Sequence, residues 1–281
     1  MKRSILLALL RDVANMGPME YPNFSTLEVV RKGQVIHVRL DRPDKRNAFN
    51  GTVVTELQGF FIEVAEDSEA RVVVLSGNGE SFCAGADLGW MREQADLPEG
   101  ENAAGAQEMA RMFLVMARCP KPVVAKIHGH ALGGGTGLTA AADIAIATDT
   151  TIFGVTEVKL GIVPAVISPY LLQKIGPGRA RTLFLTGERF DGREAERIGL
   201  VHRAVPEAEF DTEVDRMVAE LLSSGPAALA SAKRLIASVE PLSLEDAIPV
   251  TATWIAKLRA TAEAEEGMTA FLERRKPGWN S

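Results

Sequence analysis

Cysteine, histidine and tyrosine are scarce in this chain, at two, four and two copies among 281 residues. The two cysteines, Cys83 and Cys119, have no paired spacing, which excludes a disulfide framework and a structural zinc site. They fit a reducing, intracellular setting, read here as the cytoplasm. No apolar run reaches the roughly 18 residues of a membrane span. The opening Met1 to Leu10 pairs a basic end with six apolar residues, but Arg11 and Asp12 cut it off. That is too short for a signal peptide, so residues 1–22 are read as a poorly ordered N-terminal extension. Basic charge is not in excess either: the net charge is -6 and no helix is rich in Lys and Arg. A nucleic-acid partner is therefore not expected. His128 and His130 lack a metal-ligand partner at helical spacing, and Ser168 lies in Ile-Ser-Pro without the spacing of a nucleophile elbow. Neither a metal centre nor a serine hydrolase is expected.

What is present is enough apolar content, 46%, to bury a sizeable core. Leu27 to Arg31 and Gln34 to Leu40 read as a hairpin around Lys32-Gly33, followed by an amphipathic helix over about 52–65. Arg71 to Ser76, Val123 to Ile127 and Asp143 to Ala147 read as further strands between glycine loops and helical segments. This alternation predicts an α/β core. Beyond Pro164 the pattern turns helical, with segments over 168–175, 180–186, 192–198, 207–223, 227–239, 244–260 and 262–275, punctuated by Gly and Pro.

Two stretches strip side chains from the backbone: Phe82 to Leu88, around Gly85-Ala86, and Ala131 to Leu138, around Gly133-Gly134-Gly135. The triplet follows a strand-like run and precedes a helix-like one, so its free N–H groups would sit at a helix N-terminus, where negative charge is favoured. A second N–H from the Gly85-Ala86 turn would complete an oxyanion hole.

Four strings in order, Ser81-Phe-Cys-Ala-Gly-Ala-Asp87, Lys121-Pro-Val-Val-Ala125, Gly129-His-Ala-Leu-Gly-Gly-Gly135 and Ala142-Asp-Ile-Ala-Ile-Ala147, resemble the enoyl-CoA hydratase (crotonase) superfamily. The resemblance runs from about Leu27 to Trp279. It implies a crotonase-type ββα spiral core over residues 23–200 and a C-terminal helical trimerisation region over 201–281, in a homotrimer or a dimer of trimers. It implies an acyl-CoA thioester substrate, with coenzyme A arriving as part of the substrate, and no metal or redox cofactor. By the same resemblance the N–H groups of Ala86 and Gly134 bind the thioester oxygen, and Glu157 is the acid/base group. Lys45, Arg46 and Ala48 fall in the CoA loop, while Ala84, Asp87, Leu88, His130 and Gly133 line the substrate. Phe271 and Arg274 match a tail that meets CoA from a neighbouring subunit. On the residues alone, Asp87 reads as a helix cap and Cys83 as a small packed hydrophobe.

The chain departs from the family at one decisive position. The family's first catalytic glutamate lies twenty residues before Glu157, where this sequence has Gly137. A missing acid/base group is worth about 10²–10⁴ in rate. The stretches Thr156 to Tyr170, Ala84 to Met91 and Gly187 to Phe190 resemble methylglutaconyl-CoA hydratases, which also tolerate glycine there. The expectation is that a substrate carboxylate, or water near it, occupies the room that Gly137 frees; the competing expectation is that Gly137 permits close helix packing. The activity expected is hydration of an enoyl-CoA, with a carboxylated branched one such as 3-methylglutaconyl-CoA as a candidate. The alternatives are a Δ3,Δ2-enoyl-CoA isomerase using Glu157 alone and a non-catalytic acyl-CoA-binding homologue.

Overall fold

β-branched runs set the architecture. In the computed structural model, which describes residues 19–280, β1 (Leu27–Lys32) and β2 (Val35–Leu40) form the expected antiparallel hairpin, and the turn between them carries Gly33 at φ 58°. β2 then pairs in parallel with β3 (Val72–Gly77), followed outward by β4 (Val123–Ile127), β6 (Ile144–Thr148) and β9 (Arg203–Val205). A smaller sheet holds β5 (His130–Leu132), β7 (Ile152–Gly154) and β8 (Arg189–Phe190). Two passes of the chain, β4 then β5 and β6 then β7, lay one strand in the large sheet and the next in the small sheet before a helical segment returns it.

Both faces of the large sheet are covered, which explains strands that read as continuous apolar runs. Ile36, Val38, Val73, Leu75, Val123 and Ala125 face the main core, and the alternate residues Val35, Val72, Val74, Val124 and Ile146 face a second cluster with Phe210 and Val214. The main core holds the fully buried Phe49, Phe60, Phe61, Phe82 and Phe113. It packs under α1 (Gly51–Glu66), whose N-cap Asn50 accepts from Val53 N–H at 3.0 Å.

The polar stretch after Asp87 forms two helices that the sequence pattern did not reveal, α2 (Leu88–Ala95) and α3 (Glu99–Arg118). The reason is physical: α2 buries no residue fully, and α3 buries only Met112, Phe113 and Met116, near its end. The glycine turn opens α4 (Gly134–Ala141). The two segments expected over 168–175 and 180–186 meet in α5 (Ser168–Thr186) across a kink at Gly176, φ 72°. Then come α6 (Gly192–Arg197), α7 (Phe210–Ser223), α8 (Pro226–Val239), α9 (Leu244–Arg259) and α10 (Ala262–Leu272). β9 and α7 both come from the chain after residue 200, the one extending the large sheet and the other covering it.

Both ends of the described chain are tied down. Arg71 donates to Trp279 O at 2.8 Å, and the Trp279 indole N–H donates to Ser223 O at 3.1 Å. At the other end the Tyr21 hydroxyl donates to Asp67 at 2.6 Å and its ring packs on Phe60. Of the segment read as an extension, residues 1–18 lie outside the described residues. Among the described residues no helix is long and apolar enough to cross a membrane.

Candidate active site

The two bare backbone stretches lie side by side. Cys83 N–H donates to His130 O and Leu132 N–H donates to Cys83 O, both at 3.0 Å, so residues 83 and 131 pair like strand neighbours. Phe49 N–H donates to Gly85 O at 2.7 Å, and Asp87 N–H donates back to Phe49 O at 2.7 Å. Side chains are absent here because they would not fit. A β-carbon on Gly85, which sits at φ 99°, would lie 3.1 Å from Leu132 O and 3.9 Å from Gly133 Cα. One on Gly134 would overlap the Phe49 ring, and one on Gly135 would overlap the Cys83 carbonyl.

This packing leaves two donors free at one place. Among the described residues, neither Ala86 N–H nor Gly134 N–H has a hydrogen-bond partner. Gly134 is the first residue of α4, so its N–H also carries the positive end of the helix. Gly133 N–H donates to Gly154 O at 2.8 Å, and the buried Thr136 hydroxyl reaches Ala131 O at 2.6 Å and Gly154 O at 3.0 Å. These bonds clamp the glycine turn to β7, the strand that leads into Glu157.

Glu157 begins a 3-10 turn, Glu157–Leu160. Its Oε1 lies 3.2 Å from where a β-carbon of Gly133, the residue before Gly134, would stand. Its Oε2 is buried with no hydrogen-bond partner among the described residues. Burial pushes the carboxyl pKa above its ordinary value, against a smaller opposing pull from its own backbone N–H. A carboxyl raised in this way is suited to act as a general acid and base.

A cavity of about 950 Å³ opens over this arrangement. Of the residues singled out in the sequence, Ala84, Ala86, Leu88, Gly133, Gly134 and Glu157 line it. Lys45, Arg46 and Ala48 do not, but their loop is anchored beside it: Ala84 N–H donates to Arg46 O at 2.9 Å, and Arg46 and Asn47 take left-handed backbone at φ 49° and 56°. Buried Asn47 holds that loop by donating to Asn78 O at 2.8 Å and Ser81 O at 2.7 Å. Phe271 and Arg274, in and just after α10, are also outside the lining.

Two residues that the resemblance sets at the substrate make other contacts, and one of them, Asp87, is the helix cap that the residues alone imply. The Asp87 carboxylate caps α2 through Gly89 N–H at 3.0 Å and pairs with Arg42 at 3.2 Å. Desolvation pushes its pKa up, but hydrogen bonds from Gly89, Arg42 and Trp90 together hold it below the ordinary value. His130 sets strand register through its carbonyl, and its ring lies 3.3 Å from Ser81 Oγ rather than in the cavity lining.

The expectation of open room beside Gly137 is corrected by the packing. A β-carbon there would overlap Ile167 Cγ2 and come within 2.9 Å of Ile167 Cβ and 3.1 Å of Phe113 Cε1. The volume that a glutamate would need is already filled by the core, so Gly137 serves close packing and receives no substrate group. Among the described residues that line the cavity, Glu157 is the one carboxylate. The lining residues Lys159 and Arg189 escaped the sequence reading, because isolated cations near a glutamate and in a short strand carry no pattern of their own.

Fold and site together define a protein of the crotonase class, in which paired main-chain donors hold a carbonyl oxygen beside an acid/base carboxyl. The family model described as enoyl-CoA hydratase/isomerase matches residues 30–281. A crotonyl-CoA hydratase of Syntrophomonas wolfei is 34% identical over 265 residues, covering 94% of this chain and all of that protein. A carnitinyl-CoA dehydratase of Escherichia coli is 32% identical, with 90% and 98% of the two chains covered. The crystal structure of an enoyl-CoA hydratase from Shewanella pealeana superposes with a TM-score of 0.88 at 36% identity, covering 92% and 97%. The chain belongs to the enoyl-CoA hydratase/isomerase family, and its core is the ββα spiral that the sequence resemblance implied.

Proposed function

We propose that the protein hydrates an α,β-unsaturated acyl-CoA thioester, with Ala86, Gly134 and Glu157 as the catalytic groups. The thioester oxygen accepts from the Ala86 and Gly134 N–H groups. Glu157 takes a proton from water as the water oxygen bonds to the β-carbon, and the electron pair of the double bond moves onto the thioester as an enolate. Glu157 then returns that proton to the α-carbon, so one water is added and the carboxylate is regenerated. One backbone donor aimed at a developing oxyanion is worth about 2.7–4 kcal/mol in the transition state.

The observation that carries this reading is the desolvated Glu157 carboxyl, with an unpartnered oxygen, set against the glycine turn that presents the Gly134 N–H. The scheme draws on no metal or redox group, and coenzyme A enters only with the substrate. Lys45, Arg46 and Ala48 would meet the CoA portion at the cavity rim. We further propose a homotrimer or dimer of trimers. Phe271 and Leu272 on α10 and Leu244 and Ile248 on α9 are exposed large hydrophobics, as a surface awaiting a second copy would be. In that assembly Phe271 and Arg274 would reach CoA bound to a neighbour.

The test is a panel of straight-chain and carboxylated enoyl-CoAs with product analysis by mass, including crotonyl-CoA and 3-methylglutaconyl-CoA. Gain of one water that disappears in Glu157→Gln is the expected result. Product of unchanged mass with a shifted double bond would assign isomerisation, and no turnover on any member would leave only acyl-CoA binding.

A further inference from the structure

Among the described residues, Glu157, Lys159 and Arg189 are the only ionisable ones lining the cavity. The backbone brings both cations to one rim. Arg189 lies opposite Gly154 in the β7–β8 pairing, three residues before Glu157. Gly187, at φ 58°, leaves its β-carbon position to the Lys159 stem, whose Cγ and Cε would lie 3.1 and 3.2 Å from such an atom. Among the described residues neither cation makes an ion pair or a side-chain hydrogen bond. Among the described residues neither cation lies within ion-pair distance of the Glu157 carboxyl. Both cations are exposed to solvent at that rim, where a carboxylate on a ligand can reach them. The opposite wall, from Leu88 through Met91 to Met109, offers no charge of either sign.

We propose that Lys159 and Arg189 form an anion subsite that receives a carboxylate carried by the acyl chain of the substrate. The inference rests on the acyl-CoA reading above and goes beyond it in assigning residues to the acyl charge. It also replaces the space beside Gly137, which Ile167 and Phe113 fill, as the place where such a carboxylate is held. A guanidinium is suited to gripping a carboxylate with two parallel N–H donors, and the lysine adds a point charge.

Isothermal titration of the full chain with glutaryl-CoA and butyryl-CoA tests this without turnover, since the two differ in the acyl carboxylate. The unaltered protein is expected to bind glutaryl-CoA at least about tenfold more tightly. The Lys159→Gln/Arg189→Gln variant should lose that preference, and Arg189→Lys should keep part of it because the charge remains. Equal affinity of the unaltered protein for both ligands would overturn the proposal. So would an equal loss for both ligands in the double variant, which would assign the cations to the phosphates of CoA. Failure of the underlying reading is distinguishable: neither ligand would bind.

Discussion

Adding one methyl group at Gly137 is the sharpest test of how this site is built. In α4, Gly137→Ala brings a helix-propensity gain of about 0.5–1 kcal/mol, so at an open position the variant would be more stable. Here the new carbon would overlap Ile167 Cγ2 and stand 2.9 Å from Ile167 Cβ, inside a fully packed layer. Overpacking of that kind costs about 1–3 kcal/mol. The net expectation is a loss of about 0.5–2 kcal/mol, read from equilibrium urea unfolding. Ile167→Ala alone should cost about 2–5 kcal/mol, because it empties a buried site. The double variant should be less unstable than the sum of the singles by at least about 1 kcal/mol, since the added methyl partly fills the vacated space. A Gly137→Ala protein at or above the original stability, or strict additivity in the cycle, would refute the claim that the core occupies this volume.

Three further outcomes follow from the same geometry. Glu157→Gln should lower kcat by about 10²–10⁴; and because burial raises the folded-state pKa, the wild-type protein holds its full share of stability below pH 4.5 and loses it as pH rises through the raised value. The variant should therefore be the more stable of the two at neutral pH in chemical denaturation, with the gap closing below about pH 4.5. Thr136→Val removes the hydroxyl contacts to Ala131 O in β5 and Gly154 O in β7 that hold the glycine turn, at a cost of about 1–3 kcal/mol; steady-state kinetics should show kcat falling more than KM changes, with Thr136→Ser restoring it. Asp87→Ala deletes the α2 cap and the Arg42 pair and should cost about 1 kcal/mol in thermal or urea unfolding.

The sequence was most readable where one local rule decided the outcome. The β1–β2 hairpin, the buried strands β3, β4 and β6 and the glycine-opened helix α4 follow from alternation, β-branched runs and bare backbone. The site was legible for the same reason, since Gly85, Gly133 and Gly134 announce close approach before any fold is known. The rest was set by tertiary context. Helix α3 is largely exposed, so its residues carry little periodic signal until Met112 and Phe113 meet the core. What fills the space at Gly137 depends on Ile167 and Phe113, distant in sequence, and no spacing rule could have named them. The helix cap at Asp87 is legible from the residues alone, whereas its pair with Arg42 and the contact of His130 with Ser81 depend on distant segments of the chain.

Both groups that would hold the thioester oxygen belong to the main chain, and this has a genetic consequence. Any codon change at Ala86 or Gly134 short of one for proline still encodes an amide hydrogen, so mutation cannot readily erase the charge-stabilising device; it can only warp its shape. Lineages built on this scaffold can therefore drift in acyl preference by altering the surrounding walls, while the part that makes the chemistry possible is inherited intact.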